Sequence, residues 1–438
     1  MSDNDTGRFQ PLQSNKRIVI TGMSVVSTLG DTLEAFHNSL RQGKSGISRW
    51  QNPPWPGSYS KIGGDLSQYP MDRKMSSLSE CIPPDVFRRM AKLVSNSPRA
   101  TGISICLAVE AFADSGLLGE NASPERIAGI FAGHYLHDVY KWSNWKAFEV
   151  DPDEAEVSLA LKEMETDALG CTMEVLGIHG SGFSTGGSCA AGNIALRSAI
   201  DEIRYHASDA ALVVAPFHEL TPASLHSLAR LGTLSMETFD DEPQKASRPF
   251  DSRRNGFVPA MGGAALVIEE LDHALRRGAR IYAEIMGVGL NTNGFRNPAP
   301  QEDPIALVME LSLREAGVDR RDIDYISAHA TSTQTGDLVE ARAIRRVFGD
   351  HAGRLKVNAL KSMLGHQLAA SALVEMVACV LQMRAAVVYP TINVERIDPE
   401  IDLDVCANHG SQYRINCLMK NAFGFGGINS ACILRRYE

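Results

Sequence analysis

Short apolar runs recur along the chain, separated by stretches whose apolar positions fall three or four residues apart. Arg17-Ile-Val-Ile-Thr-Gly-Met23 is an apolar run containing Gly22 and suits a buried first strand. Thr32 to Gln42 reads as a helix with Asp31 as its cap. Residues 45–82 are rich in Pro, Gly and Ser and predict mostly loop. Helical runs follow over roughly 85–94 and 99–116. Ile127–Ala132 is another buried strand, and 138–165, polar with Trp142 and Trp145, reads as an inserted cover segment around a helix. A weakly extended run then ends in glycines before Cys189, and an amphipathic helix starts at once with Leu196, Ala199, Ile200 and Ile203 on one face. Strands are predicted at 209–216 and 264–270, with a loop over Arg248–Gly256 and a helical turn over 271–277.

The pattern then restarts. Strands at 281–289, 323–328 and 356–359 alternate with helices at 304–316, 336–348 and 369–383, and two adjacent strands, 417–423 and 431–435, flank a glycine-rich turn. Strand–helix alternation on both sides of a break near 277 implies two similar α/β halves packed into one body, residues 17–276 and 277–438, after a flexible tail at 1–16.

Composition narrows the class. The chain has 438 residues, 44% hydrophobic and 22% charged, as expected of a globular enzyme too long for one small domain. A net charge of −9 argues against a general nucleic-acid binder. Eight cysteines show no CxxC pair and no zinc spacing, so they read as reduced thiols of a cytoplasmic protein with no metal. No apolar run reads as long enough to span a membrane, and the polar N-terminus lacks the apolar stretch of a signal peptide.

Three groups carry candidate chemistry. Cys189 lies at a strand-to-helix turn, where free N–H groups and the helix dipole favour a thiolate nucleophile, although a lone cysteine is more often structural. His329 and His366 follow two successive strands at matched positions, where two neutral imidazoles can donate N–H bonds to one developing oxyanion. Lys361 either orients that site or is solvated, and Glu375, in an apolar helix face, either pairs with Lys361 or points to water. Phe423-Gly-Phe-Gly-Gly-Ile-Asn429 lacks the GxGxxG spacing of a dinucleotide site; it is either a tight turn or a loop whose N–H groups meet an oxyanion.

Taken together, these motifs resemble the β-ketoacyl-acyl carrier protein synthases of the elongating, type II kind. The resemblance rests on the strand with Gly22, the Cys189 turn, Arg248-Pro-Phe-Asp251 with Gly256-Phe257, His329-Ala-Thr-Ser-Thr333 with Gly336-Asp337, Lys361-Ser-Met-Leu-Gly-His366, and Asn421 to Asn429. It implies an α/β thiolase fold: two duplicated halves with stacked mixed sheets in five layers (αβαβα), usually as a homodimer. It further implies that Cys189 accepts an acyl group from the phosphopantetheine of an acyl carrier protein, with no metal or organic cofactor. By the same resemblance His329 and His366 stabilise the enolate left when a malonyl unit loses CO₂, the N–H groups of Cys189 and Phe423 form an oxyanion hole, and Phe423 gates. Lys361, Glu375 and Asp337 are supporting groups, and Thr331 and Thr333 bind the pantetheine arm.

The chain departs from the family in places. The glycine-rich run after Phe257 lacks its usual acidic residue and reads Val258-Pro-Ala-Met-Gly-Gly263, Glu-Ala-His-Gly is replaced by Ser327-Ala-His329-Ala330, and the strand near 131 ends Gly133-His134-Tyr135. His134 and Tyr135 are expected to crowd or polarise the acyl pocket, which suits a short or polar acyl group and a polyketide or specialised-metabolite pathway over fatty-acid elongation. Rival readings are a malonyl decarboxylase or acyltransferase, and a non-catalytic chain-length-factor-like half of a heterodimer; the presence of Cys189, His329 and His366 argues against both. An acidic carrier protein needs a basic docking site, for which Arg88, Arg89 and Lys92 are one candidate and Arg253 with Arg254 another.

Overall fold

The computed structural model describes residues 16–51, 58–119, 123–133, 136–295 and 299–438. The predicted tail, apart from Lys16, and the pocket candidates His134 and Tyr135 lie outside the described residues. In the first half the strands are β1 (Ile18–Val26), β2 (Ile127–Ala132), β3 (Gly182–Thr185), β4 (Ala210–His218) and β5 (Gly262–Glu270). In the second they are β6 (Ala283–Thr292), β7 (Tyr325–Ser327), β8 (Lys356–Asn358), β9 (Cys417–Gly424) and β10 (Ile428–Arg435). The helices are α1 (Leu33–Arg41), α2 (Met71–Cys81), α3 (Pro84–Ser95), α4 (Arg99–Asp114), α5 (Asp138–Val150), α6 (Glu165–Leu176), α7 (Ala191–Tyr205), α8 (Pro222–Arg230), α9 (Glu302–Ala316), α10 (Gln334–Phe348) and α11 (Ser371–Ala385).

The halves repeat one topology. The first has strand order β3-β2-β4-β5-β1 and the second β8-β7-β9-β10-β6, with the same parallel and antiparallel pairings in each. The sheets are also hydrogen-bonded along one edge, where β1 runs antiparallel to β6 with Ile18 opposite Ile285. The stacked sheets expected from the sequence are therefore joined at a corner into one ten-strand order, because β1 is long enough to pair with β5 along its length and with β6 at its start.

Side-chain alternation builds the layers. Along β2, Ala128 and Ile130 enter the central core while Ile127 and Phe131 enter an outer one with α4; along β4, Val213 faces inward and Leu212 and Val214 outward. α7 and α11 fill the central layer and touch strands of both sheets, α4 covers the first sheet outside, and α9 with α10 covers the second. Strands buried on both faces read as continuous apolar runs, which is why they were visible in the sequence.

Some local expectations are corrected. Thr32, not Asp31, caps α1, its hydroxyl accepting from the Ala35 N–H; Asp31 instead meets the Tyr69 hydroxyl and Arg73. The 45–82 segment is not mostly loop at its end, since α2 forms there with Lys74 and Leu78 buried. α6 and α8 are further helices absent from the sequence reading; α6 is weakly patterned, whereas Thr221 before Pro222 marks the start of α8. Leu368–Ala385 is, contrary to the sequence reading, long and apolar enough to cross a membrane, with a mean hydropathy of 1.5. It is 72% buried because it is the central-layer helix between two sheets.

The central helices cross closely at Gly192, where a β-carbon would lie 2.9 Å from the Leu373 amide nitrogen and 3.0 Å from the Ala372 β-carbon. Gly192→Ala is expected to lower stability by ~1–3 kcal/mol in urea unfolding, because backbone must shift to admit the methyl group. An unchanged denaturation midpoint would show that this crossing has slack.

Candidate active site

Cys189 sits in a single 3-10 turn, Ser188–Ala190, between β3 and α7. The turn depends on left-handed backbone at Gly187 and Ser188 (φ 148° and 51°), and a β-carbon on Gly187 would meet Ile194 at 2.3 Å. The end of β9 presses onto the same turn. A β-carbon on Gly424 would lie 2.8 Å from the Gly187 carbonyl oxygen and 3.1 Å from the Cys189 amide nitrogen, so only glycine allows this approach. Phe423 and the Cys189 amide are thereby brought together.

The thiol departs from its expected state. Burial pushes the Cys189 thiol up, and the Ser188 hydroxyl (3.8 Å), the Lys361 charge and the Phe425 amide do not overcome it. Desolvation of the sulfur thus opposes the thiolate that the helix N-terminus favours.

His329 follows β7 and His366 follows a short helical turn, Lys361–Leu364; their rings stand 5.6 Å apart at 81°. The His366 Nδ1 accepts from the Leu368 N–H at 3.1 Å and meets the Ser371 hydroxyl at 2.8 Å. The His329 Nδ1 faces the Lys361 ammonium at 3.4 Å, and that ammonium donates to the His329 carbonyl at 2.8 Å. An Nδ1 that accepts leaves the proton on Nε2, so each ring presents an Nε2–H. Burial, with the Lys361 charge next in weight, holds both imidazoles well below their usual range. Both are thus neutral donors at neutral pH. Phe423 lies edge-on to His329 at 5.6 Å and Phe257 to His366 at 5.0 Å.

Behind the rings, Lys361 is fully buried and donates to Glu375 Oε1 at 2.5 Å, which settles the alternative of a solvated Glu375. Asp337 accepts the Phe250 and Ser332 N–H groups at 2.9 and 3.1 Å, tying the Arg248–Asp251 loop to the His329 loop. Thr331 and Thr333 hydroxyls lie 3.1 Å apart. Cys189, His329, His366, Phe423, Thr331 and Thr333 all line one cavity of about 1220 Å³, whereas Lys361, Glu375 and Asp337 lie outside its lining.

Other groups escaped the sequence reading. Glu340, buried, accepts the His329 and Ala330 N–H groups at 2.9 and 2.8 Å and the Asn421 amide at 3.0 Å. Its spacing from Asp337, three residues on one helix face, was the available signal. Lys420 is fully buried in β9 directly after the apolar Cys417–Met419, itself a signal of a paired charge. His218, at the end of β4, lines the cavity, and burial lowers it to about 4. The missing acidic residue is replaced by Met261, which packs in the outer apolar core while its N–H donates to the Gly64 carbonyl at 2.8 Å. Of the basic candidates, Arg254 is withdrawn, since it is 3% exposed and bonds Asp398, Thr333 and Gln334. Arg88, Arg89 and Lys92 are all exposed, with Arg89 bonded to Asp85 and the Val175 carbonyl.

The profile of the β-ketoacyl synthase N-terminal domain matches residues 15–274 and that of the C-terminal domain 282–395. The chain is 34% identical to 3-oxoacyl-[acyl-carrier-protein] synthase 2 of Coxiella burnetii, over 96% of this chain and 99% of that protein. It is 30% identical to nodulation protein E of a Rhizobium species, over 96% and 100%. Among solved structures, the AntDE ketosynthase, bound to a hexaketide and in complex with a type II polyketide synthase acyl-carrier protein, superposes with a TM-score of 0.86 at 29% identity, covering 97% of this chain and 100% of that one. The ishigamide ketosynthase/chain length factor gives 0.83 at 29%, with the same coverage.

Two outcomes test the electrostatics. Alkylation of Cys189 by iodoacetamide is expected to keep accelerating up to about pH 9, since the buried thiol ionises late; a plateau below about pH 7 would mean a resting thiolate. The histidines act on stability. The unfolded chain protonates them as pH falls through about 6.5 while the folded chain does not, so stability is full above that pH and declines below it, by up to ~1.4 kcal/mol per pH unit for each ring. Replacing both with glutamine is expected to flatten the acid limb of a pH series of urea unfolding; an unchanged limb would mean that the rings protonate in the native state.

Proposed function

The chain belongs to the β-ketoacyl synthase family, and on that premise we propose that it condenses a Cys189-bound acyl group with a malonyl-type unit carried on an acyl carrier protein. The observation that carries this reading is the convergence of Cys189 and two neutral imidazoles, both with free Nε2–H groups, on one cavity.

The Cys189 sulfur attacks the carrier thioester, an acyl–S bond to Cys189 forms, and the pantetheine thiol leaves with the proton. A malonyl thioester then enters. Its carboxylate leaves as CO₂, and the electron pair of the broken C–C bond moves onto the thioester oxygen as an enolate, held by the Nε2–H groups of His329 and His366. The enolate carbon attacks the Cys189-bound carbonyl, the tetrahedral oxyanion is met by the amides of Cys189 and Phe423, and collapse expels the sulfur, which regains a proton. Neutral imidazoles suit this step, because a donor is needed and a strong base is not. Thr331 and Thr333 hold the pantetheine arm, Phe423 gates the second half-reaction, and Asp337 with Glu340 fixes the loops. The reaction as written calls for no metal or organic cofactor.

We assign the acyl chain to an oxygenated, polyketide-type class. His218 and Ser227 place polar side chains along the cavity, which favours a chain able to hydrogen-bond, and the AntDE and ishigamide enzymes support the assignment. Fatty-acid elongation is the second reading, favoured by the 34% identity to the Coxiella synthase. The carrier protein docks on Arg88 and Lys92 of α3, and two copies pair through β3, which ends the sheet with an unpaired edge among the described residues.

Intact-mass analysis with acyl- and malonyl-carrier proteins is expected to show an adduct that Cys189→Ala abolishes, followed by a β-ketoacyl product. Polar or β-oxo chains should exceed saturated chains of equal length in kcat/KM by at least ~10-fold. A preference for long saturated chains would select fatty-acid elongation, and CO₂ release without an adduct would select a decarboxylase.

A further inference from the structure

Glu375 has two lysine partners, not one. Its Oε1 accepts from Lys361 at 2.5 Å and its Oε2 meets the Lys420 ammonium at 2.7 Å. Lys420 also donates to the Asn421 carbonyl at 2.5 Å. All three side chains are at most 1% exposed. Lys420 alternates with Leu418 along β9 and so faces the central layer, where Glu375 stands on α11. Two lysines share the Glu375 carboxylate in a dry interior, with buried Glu340 as the other carboxylate near Lys361. That arrangement is costly for stability alone, since desolvating charges is disfavoured even where they are paired.

We propose that Lys420 is a positioning residue for the condensation. It clamps the Glu375 carboxylate from the side opposite Lys361, and this fixes the Lys361 ammonium against the His329 carbonyl and Nδ1. With only one lysine bound, the carboxylate could rotate, and the Lys361 ammonium would be free to leave His329. His329 would then no longer be held in the tautomer that points Nε2–H at the cavity. The residue touches neither substrate nor the cavity lining and acts through the chain Lys420–Glu375–Lys361–His329.

The inference rests on the proposed condensation and predicts an unequal effect on its two halves. Lys420→Met is expected to slow CO₂ release from malonyl-carrier protein by ~10-fold or more while changing Cys189 acylation by less than ~3-fold, since His329 enters only the malonyl step. The same loss should appear in kcat with KM nearly unchanged. Lys420→Arg keeps a cation in ion-pair reach of Glu375, and it should recover most of the rate if the Met variant folds poorly or reacts slowly. In a Glu375→Gln background, Lys420→Met should add no further loss. Equal slowing of both half-reactions, unchanged CO₂ release, or fully additive losses in the double variant would each overturn the inference. Failure of the underlying condensation would look different, because the unmodified protein itself would form no adduct or product.

Discussion

A charge placed between two sheets has no water to lean on, and the site is arranged around that constraint. The site and the groups behind it hold the thiol, two imidazoles, two ammonium groups and several carboxylates at almost no exposure. Each carboxylate has its partners: Glu375 a hydrogen bond from Lys361 and an ion pair with Lys420, Glu340 two backbone amides and Asn421, Asp337 two backbone amides. Satisfied in this way, the groups are rigid, and their rigidity orients the rings that have no charge of their own. Neutrality of the histidines follows from the same dryness, because an imidazolium beside Lys361 would be doubly disfavoured.

Backbone geometry supplies what side chains cannot. The left-handed Gly187–Ser188 turn points Cys189 into the cavity, and the glycine at 424 lets a strand of the other half reach its amide. The nucleophile and its partners thus come from different halves of the chain and meet only after both halves have folded. This separates chemistry from local sequence: Cys189 and His366 are far apart in the chain and line one wall-to-wall space.

Much of this was legible beforehand. Buried strands announce themselves as apolar runs, and the alternation of strand and helix on both sides of residue 277 signalled a repeated α/β unit. The spacing of Cys189, His329 and His366 after strands suggested a shared site, and the cavity contains all three. Other features were hidden for physical reasons. The β1–β6 corner is a long-range pairing of three residues and leaves no periodic trace. The ionisation of Cys189 depends on how deeply the sulfur is buried, which a helix-terminus rule does not contain. Arg254 looks like any surface arginine until its three bonding partners from distant segments are in place.

The repeated strand order also says something about descent. In the first half Gly133 and Cys189 follow the second and third strands and His218 ends the fourth; in the second half His329 and His366 follow the corresponding strands and Phe423 lies near the end of the next. Cys189 and His218 of the first set and His329, His366 and Phe423 of the second line one cavity. A duplicated ancestor with both halves alike would have offered two equivalent seats for each group. The two halves share one strand order but not one chemistry: one carries the sulfur and the other the imidazoles, so like frames bear an asymmetric site.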